Sequence, residues 1–217
     1  MKLHLTLIGI IVLSGSGCST RASGAEAPLP AVLSVVDRPT LVSPDGKWDI
    51  TVWGEKDESP WIMLEARDAQ PKYRVQVWPI PRSAIVLWAP DSQAFAFTDA
   101  RFADHYFLYV DHVRGYLSSE ITDLSSLVES HFSSFIDRRY GVDKWYAKPL
   151  LWVKKDLLLV GIDCVTSEKL SPQPKYQPVK NWFRAYLLNV QGNKLVSDLG
   201  ERETKERYGI DLLKEKW

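Results

Sequence analysis

From Lys47 the chain alternates, with Trp48, Ile50 and Val52 apolar and Lys47, Asp49 and Thr51 polar, and a period of two puts the apolar set on one face of a β-strand. Similar apolar runs flank Ala89-Pro90-Asp91-Ser92 (Leu87-Trp88 before it, Ala94 to Thr98 after it) and Lys154-Lys155-Asp156 (Leu151 to Val153 before it, Leu157 to Val160 after it). Trp61 to Ala66, Tyr73 to Trp78, Tyr106 to Val110 and Tyr116 to Ser119 fit further strands, and Phe183 to Val190, a Gln191-Gly192-Asn193 turn and Lys194 to Asp198 form a hairpin. The period changes once. Leu124, Leu127, Val128, Phe132, Phe135 and Ile136 recur at helical spacing with serines opposite them, which predicts a helix capped by Thr122 or Asp123 and ended by Gly141. Such a stripe calls for burial against a sheet. Glu201 to Tyr208 predicts a second helix, with Glu201 and Lys205 paired one turn apart.

Three segments can be laid over one another, Leu41 to Val52, Leu87 to Thr98 and Leu151 to Val160. In the first two the centre is a turn: proline presets φ at the first corner, aspartate bonds the backbone two residues on, and glycine or serine ends the reversal. Ser43-Pro44-Asp45-Gly46-Lys47 and Trp88-Ala89-Pro90-Asp91-Ser92, the latter followed by Ala94 to Thr98, resemble the TolB-type, WD-repeat-like β-propeller module. In that module Trp-Ser-Pro-Asp-Gly turns into a strand of the form Lys-x-Ile-Ala-Phe. The third copy keeps Leu151-Trp152 and the apolar strand without the proline turn. Pro44 and Pro90 are separated by close to the ~40–45 residues of one blade.

The resemblance implies an all-β domain over residues 31–217, a propeller-like stack of about three four-stranded blades, incomplete or open, with one helix inserted near 123–138. Propellers close with about four to eight blades, so closure would have to draw in Ala31 to Val36 and the C-terminal tail. A generic antiparallel sandwich is the competing architecture. The resemblance also implies that the connections Gly54 to Pro60, Ala100 to Asp104 and Thr166 to Asn181 leave on one face. The inter-blade segments Pro79 to Ala84 and Leu124 to Ile136 join them there.

At the N-terminus, Met1-Lys2 precede the apolar stretch Leu3 to Leu13 and the small residues Ser14 to Gly17, the pattern of a secretory signal peptide over 1–17. At about 1.5 Å per residue the stretch spans roughly 16 Å, too short for a membrane-spanning helix. Cys18 follows and resembles the cysteine of a bacterial lipobox, Gly17 and Ser16 fitting while Gly15 stands at the usual leucine. The resemblance implies acylation of Cys18, and Ser19 after it implies sorting to the outer membrane. Residues 18–30, small, polar and proline-punctuated, read as a flexible tether to the anchor. Cleavage after Gly24 or Ala25 is the competing route. Both deliver the chain to the envelope, on the periplasmic side of the outer membrane if lipidated and in the periplasm otherwise.

Either route leaves Cys164 alone in the mature domain, without an intramolecular disulfide. Its setting in Leu157 to Val165 reads as a small buried core residue, not a nucleophile. Twenty-seven basic against 27 acidic residues give a net charge of zero, so no bulk field draws the chain to nucleic acid or an anionic bilayer. His105 and His112, beside Asp104 and Asp111, lie at a spacing that puts their rings on opposite faces of a regular strand, which reads as polar strand edges, not a metal site. The mature chain has no Gly-x-Ser-x-Gly elbow and no phosphate-cradling glycine loop. Carboxylates are numerous but cannot be paired from sequence, so a periplasmic hydrolase acting on cell-wall or polysaccharide substrates stands as the alternative function. Trp53, Trp61 and Trp78 are less constrained than Trp48, Trp88 and Trp152 beside the turns; as an exposed cluster they would bind peptide or glycan, and otherwise they are core.

The expected function is that of a non-enzymatic envelope protein, without cofactor or metal, that binds another macromolecule as an inhibitor or immunity-type protein does. Its partner is a periplasmic or envelope protein, and it meets the membrane through the lipid anchor. The Thr166 to Asn181 loop, with Pro172, Pro174 and Pro178, is longer than a structural link requires. The partner-binding candidates on the loop face are therefore Lys169, Lys175, Tyr176 and Lys180, with Glu55, Lys56, Asp57 and Arg101 from the neighbouring connections.

Overall fold

A computed structural model describes residues 28–34, 36–54, 59–69, 73–80, 82–102, 104–113, 119–136, 139–168 and 180–215. Residues 1–27, on which the expected signal peptide, Cys18 and most of the expected tether fall, lie outside the described residues. The strands are β1 (Ala31–Ser34), β2 (Leu41–Val42), β3 (Trp48–Trp53), β4 (Trp61–Ala66), β5 (Arg74–Pro79), β6 (Ser83–Trp88), β7 (Ala94–Phe102), β8 (His105–Val113) and β9 (Ser119–Asp123). After helix α1 (Ser125–Phe135) come β10 (Tyr140–Lys154), β11 (Leu157–Glu168), β12 (Lys180–Asn189), β13 (Lys194–Leu199) and helix α2 (Glu201–Tyr208). Among the described residues 59% lie in strands, so the fold is mostly β, with two helices and sheets that do not close.

The strands form antiparallel meanders in sequence order. One is a separate four-stranded sheet, β2-β3-β4-β5. The second, β6-β7-β8-β9, and the third, β10-β11-β12-β13, share a nine-stranded sheet. They are joined by a short parallel pairing, Trp145 opposite His105 and Tyr146 opposite Tyr106. Ala31 to Ser34 does not close a ring; as β1 it adds to β6 at the free inner edge of the second meander.

Alternation then decides the packing. Ile50, Val52, Ile62 and Leu64 of the first meander meet Trp88, Phe95 and Phe97 of the second in one core. The opposite face of the second meander, Leu87, Ala96, Leu108 and Val110, meets Trp145, Trp152, Leu158, Val160 and Ile162 of the third in another. Leu124, Val128, Phe132 and Ile136 carry the α1 stripe into that second core. A third cluster, Leu159, Ala185, Leu187 and Leu199, lies on the far face of the third meander, where the C-terminal Tyr208, Ile210 and Leu212 cover it.

The two proline turns have the same wiring. Gly46 N–H donates to Ser43 O and Ser92 N–H to Ala89 O, while Asp45 Oδ1 accepts from Lys47 N–H and Asp91 Oδ1 from Gln93 N–H. Gly46 (φ 72°) and Ser92 (φ 60°) are the equivalent left-handed corners. The turns also touch, with Asp45 N–H donating to Ser92 Oγ at 2.9 Å.

Several boundaries differ from the sequence reading. The fourth strand of the second meander is Ser119–Asp123, with Tyr116 to Ser118 of the expected strand outside the described residues, so Thr122 and Asp123 belong to β9 and Leu124 stands at the N-cap. Asp123 still holds the helix start, its Oδ1 accepting from Ser125 N–H at 2.8 Å. The helix stops at Phe135 because Ile136 turns to extended backbone and buries its side chain, and Gly141 lies inside β10 opposite Ser167. In α2 the one-turn ion pairs are Arg202 with Glu206 and Arg207 with Glu203, whereas Lys205 reaches forward to Asp211 at 2.9 Å.

Candidate functional site at the loop end

The bonded proline turns fix one end of the layers, which makes the opposite end the place where each second strand passes to the third. The roots of those connections are Trp53 opposite Trp61, Phe102 opposite His105, and Thr166 opposite Lys180. Glu55, Lys56, Asp57, Lys169, Lys175 and Tyr176 lie outside the described residues, as does the side chain of Arg101, whose backbone belongs to β7. Lys180 is the candidate that the structure describes in full.

Lys180 is exposed and its Nζ sits 3.6 Å from the centre of the Trp182 ring and 6.0 Å from that of Tyr140. The ring is held in place: Trp182 Nε1 donates to Thr166 Oγ1 at 2.8 Å, and that hydroxyl donates to the Lys180 carbonyl at 3.1 Å. Thr166 is fully buried, so the relay is anchored in the sheet. Phe135 and Tyr140 meet Trp182 edge-on at 5.4 and 5.8 Å. Arg184 lies 4.3 Å over Phe135 while its Nε and Nη2 grip Asp198 at 2.8 and 2.7 Å. The cluster offers a cation over fixed aromatic faces at the start of β12, a surface suited to contact with another macromolecule.

A smaller aromatic patch lies at the root of the first connection. Trp53 is 40% exposed on the outer face of its sheet, beside a groove of about 500 Å³ formed with Met63, Arg74 and Gln76. Gly54 is required by close approach, since a Cβ there would lie 2.8 Å from Pro60 Cα. Of the three less constrained tryptophans, Trp78 is spent on structure: its Nε1 donates to the buried Asp99 at 2.9 Å.

The remaining chemistry is dispersed. Burial pushes the Cys164 thiol up to about 12, which leaves it protonated and inert as a nucleophile. Among the described residues no three His, Cys, Asp or Glu side chains come together as a metal site. Asp111, weighed in the sequence beside His112, and Asp163, not singled out there, are raised by burial to about 7 and about 6. Tyr140, Trp182 and Arg184 escaped the sequence reading, and Phe135, read there as part of the buried helix stripe, is 38% exposed. They come from α1, β10 and β12, and the available signal was the cation and aromatic residues where the proline-rich loop re-enters a strand.

Compared with known proteins, the chain matches no family model, and no curated protein matches it. Among the described residues no helix is long and apolar enough to cross a membrane.

Proposed function

We propose that this chain is an exported, non-enzymatic binding protein of the bacterial envelope, anchored through Cys18, which engages an envelope protein with its loop end. In this reading the three meanders are blades of an open, TolB-type propeller-like stack. The repeated turns with equivalent left-handed corners at Gly46 and Ser92 support it, as does the layering of successive meanders on both faces of the second.

The observation that carries the binding reading is the pre-ordered cluster around Lys180, where the Thr166 relay fixes the ring beneath the ammonium. A rigid aromatic contact loses little side-chain entropy on binding, and a charge at its rim steers the encounter. The chain direction adds an orientation. β1 starts opposite Val86, toward the proline turns, and ends at Ser34 opposite Ser83, so the chain enters β1 at the turn end, away from the loop end.

The test is capture of the partner by the native chain and by two variants, Lys175→Ala with Tyr176→Ala, and Lys180→Glu. Each should weaken capture by roughly tenfold or more while leaving thermal stability nearly unchanged. Undiminished capture by both would remove the loop end from the site, and turnover of peptidoglycan or polysaccharide by the purified chain would overturn the non-enzymatic reading.

A further inference from the structure

Away from the loop end, a groove of about 450 Å³ runs between β1 and β6 on one side and β10 with the C-terminal segment on the other. Its walls are apolar: Val32, Ile85, Leu150, Leu151 and Ile210. It is open to solvent on the β1 side, where Val32 is 61% exposed. Into this lining projects one cation. Lys148 is 6% exposed, and its Nζ donates to Glu215 Oε2 at 2.7 Å. Lysines are almost never buried without a partner, because the ammonium must keep its bonds when it leaves water.

The two members of this pair are not equivalent. Lys148 stands in the middle of a long strand with its side chain 8% exposed, whereas Glu215 lies in the segment after α2 with its side chain 35% exposed. The cation is therefore built into the sheet, and the carboxylate is the exchangeable member. Glu215 marks where a carboxylate sits when it meets Lys148. An apolar trough of this size ending in a buried ammonium is complementary to one kind of small molecule.

We propose that the groove binds a single-chain amphipathic carboxylate of the fatty-acid class, its chain lying along Val32, Ile85 and Leu150 and its head displacing Glu215 from Lys148. The site is independent of the loop-end reading.

The test is calorimetric titration of the full chain with dodecanoate and, separately, with dodecanol. Dodecanoate should bind saturably at one site. Lys148→Met, which keeps the apolar stem, should weaken dodecanoate by about tenfold and leave dodecanol within about twofold, because the lost contact is charge-assisted. Glu215→Gln should tighten dodecanoate by removing the competing carboxylate, and Val32→Trp should block both ligands by filling the trough. The last two variants leave Lys148 in place and keep the test decisive if Lys148→Met does not fold. No saturable binding of dodecanoate overturns the proposal, and so does binding that neither Glu215→Gln nor Val32→Trp changes.

Discussion

The indole Nε1 of Trp152 donates to the carbonyl of Leu87 at 3.1 Å, across from the third meander to the second. Trp88, at the matching position one repeat earlier, donates to the carbonyl of Leu41 at 3.4 Å. Each later meander is thus fastened to its predecessor by an indole at the same place, and both rings are 4% exposed. Trp152→Phe keeps an aromatic ring but removes the indole bond between the layers and leaves the site underfilled. Stability to denaturant should fall by about 1–3 kcal/mol. An unchanged midpoint would show that the indole bond does not fasten the layers.

Gly46 holds a left-handed corner at φ 72° with open space around its Cα, so the position is constrained by backbone conformation and not by room. Gly46→Val should cost roughly 1–2 kcal/mol or more in chemical denaturation, because a β-branched residue resists positive φ. Gly46→Asn, which tolerates that region, should recover most of the loss. Equal losses for the two variants would contradict the turn geometry.

What was legible in the sequence was local. Ser43 to Lys47 and Ala89 to Gln93 encode their turns within five residues each, and the hairpin of β12 and β13 and the body of α1 follow from short periods. What was not legible depends on distant partners. Ile121-Thr122-Asp123 satisfies the rules for entry into a helix, yet the second half of β8 needs a neighbour and takes Ser119–Asp123 as a strand. Gly141 reads as a helix terminator, yet it lies inside β10, which runs on past Pro149 against β11 through a register shift between Pro149 and Leu151. Lys180 was found because it closes a long proline-rich loop. Its aromatic bed was missed because Phe135, Tyr140 and Trp182 are brought together only by the packing of α1 on the third meander.

Asp111 is fully buried, and the backbone N–H of His112 only partly offsets the desolvation of its carboxylate. Burial raises it from 3.8 to about 7, so between those values the folded chain keeps a proton that the unfolded chain releases. Its contribution to stability is then fully present below pH ~4 and is lost as the pH rises through about 7, an effect on the order of a few kcal/mol. Asp163, raised from 3.8 to about 6, acts in the same direction over a narrower range. Asp111→Asn should flatten the decline in stability between pH 5 and 8, measured by urea denaturation at each pH. A decline of undiminished slope in the variant would mean that Asp111 is not its source.

Anchoring through Cys18 predicts that a fatty-acid probe supplied during growth labels the protein and that Cys18→Ser abolishes the label. A mature N-terminus at Ala25 or Glu26 would contradict acylation and favour ordinary signal cleavage.

In the proposed function the loop end, and not the turn end, meets a partner protein. A photo-crosslinking residue placed at position 180 stands beside the Trp182 ring, whereas one at position 193 stands in the turn between β12 and β13 at the opposite end. Irradiation of cells carrying each variant, followed by detection of the chain on a denaturing gel, reads the two ends separately. A discrete protein adduct from position 180, without one from position 193, is the predicted result. An adduct from position 193 with none from position 180 would contradict it.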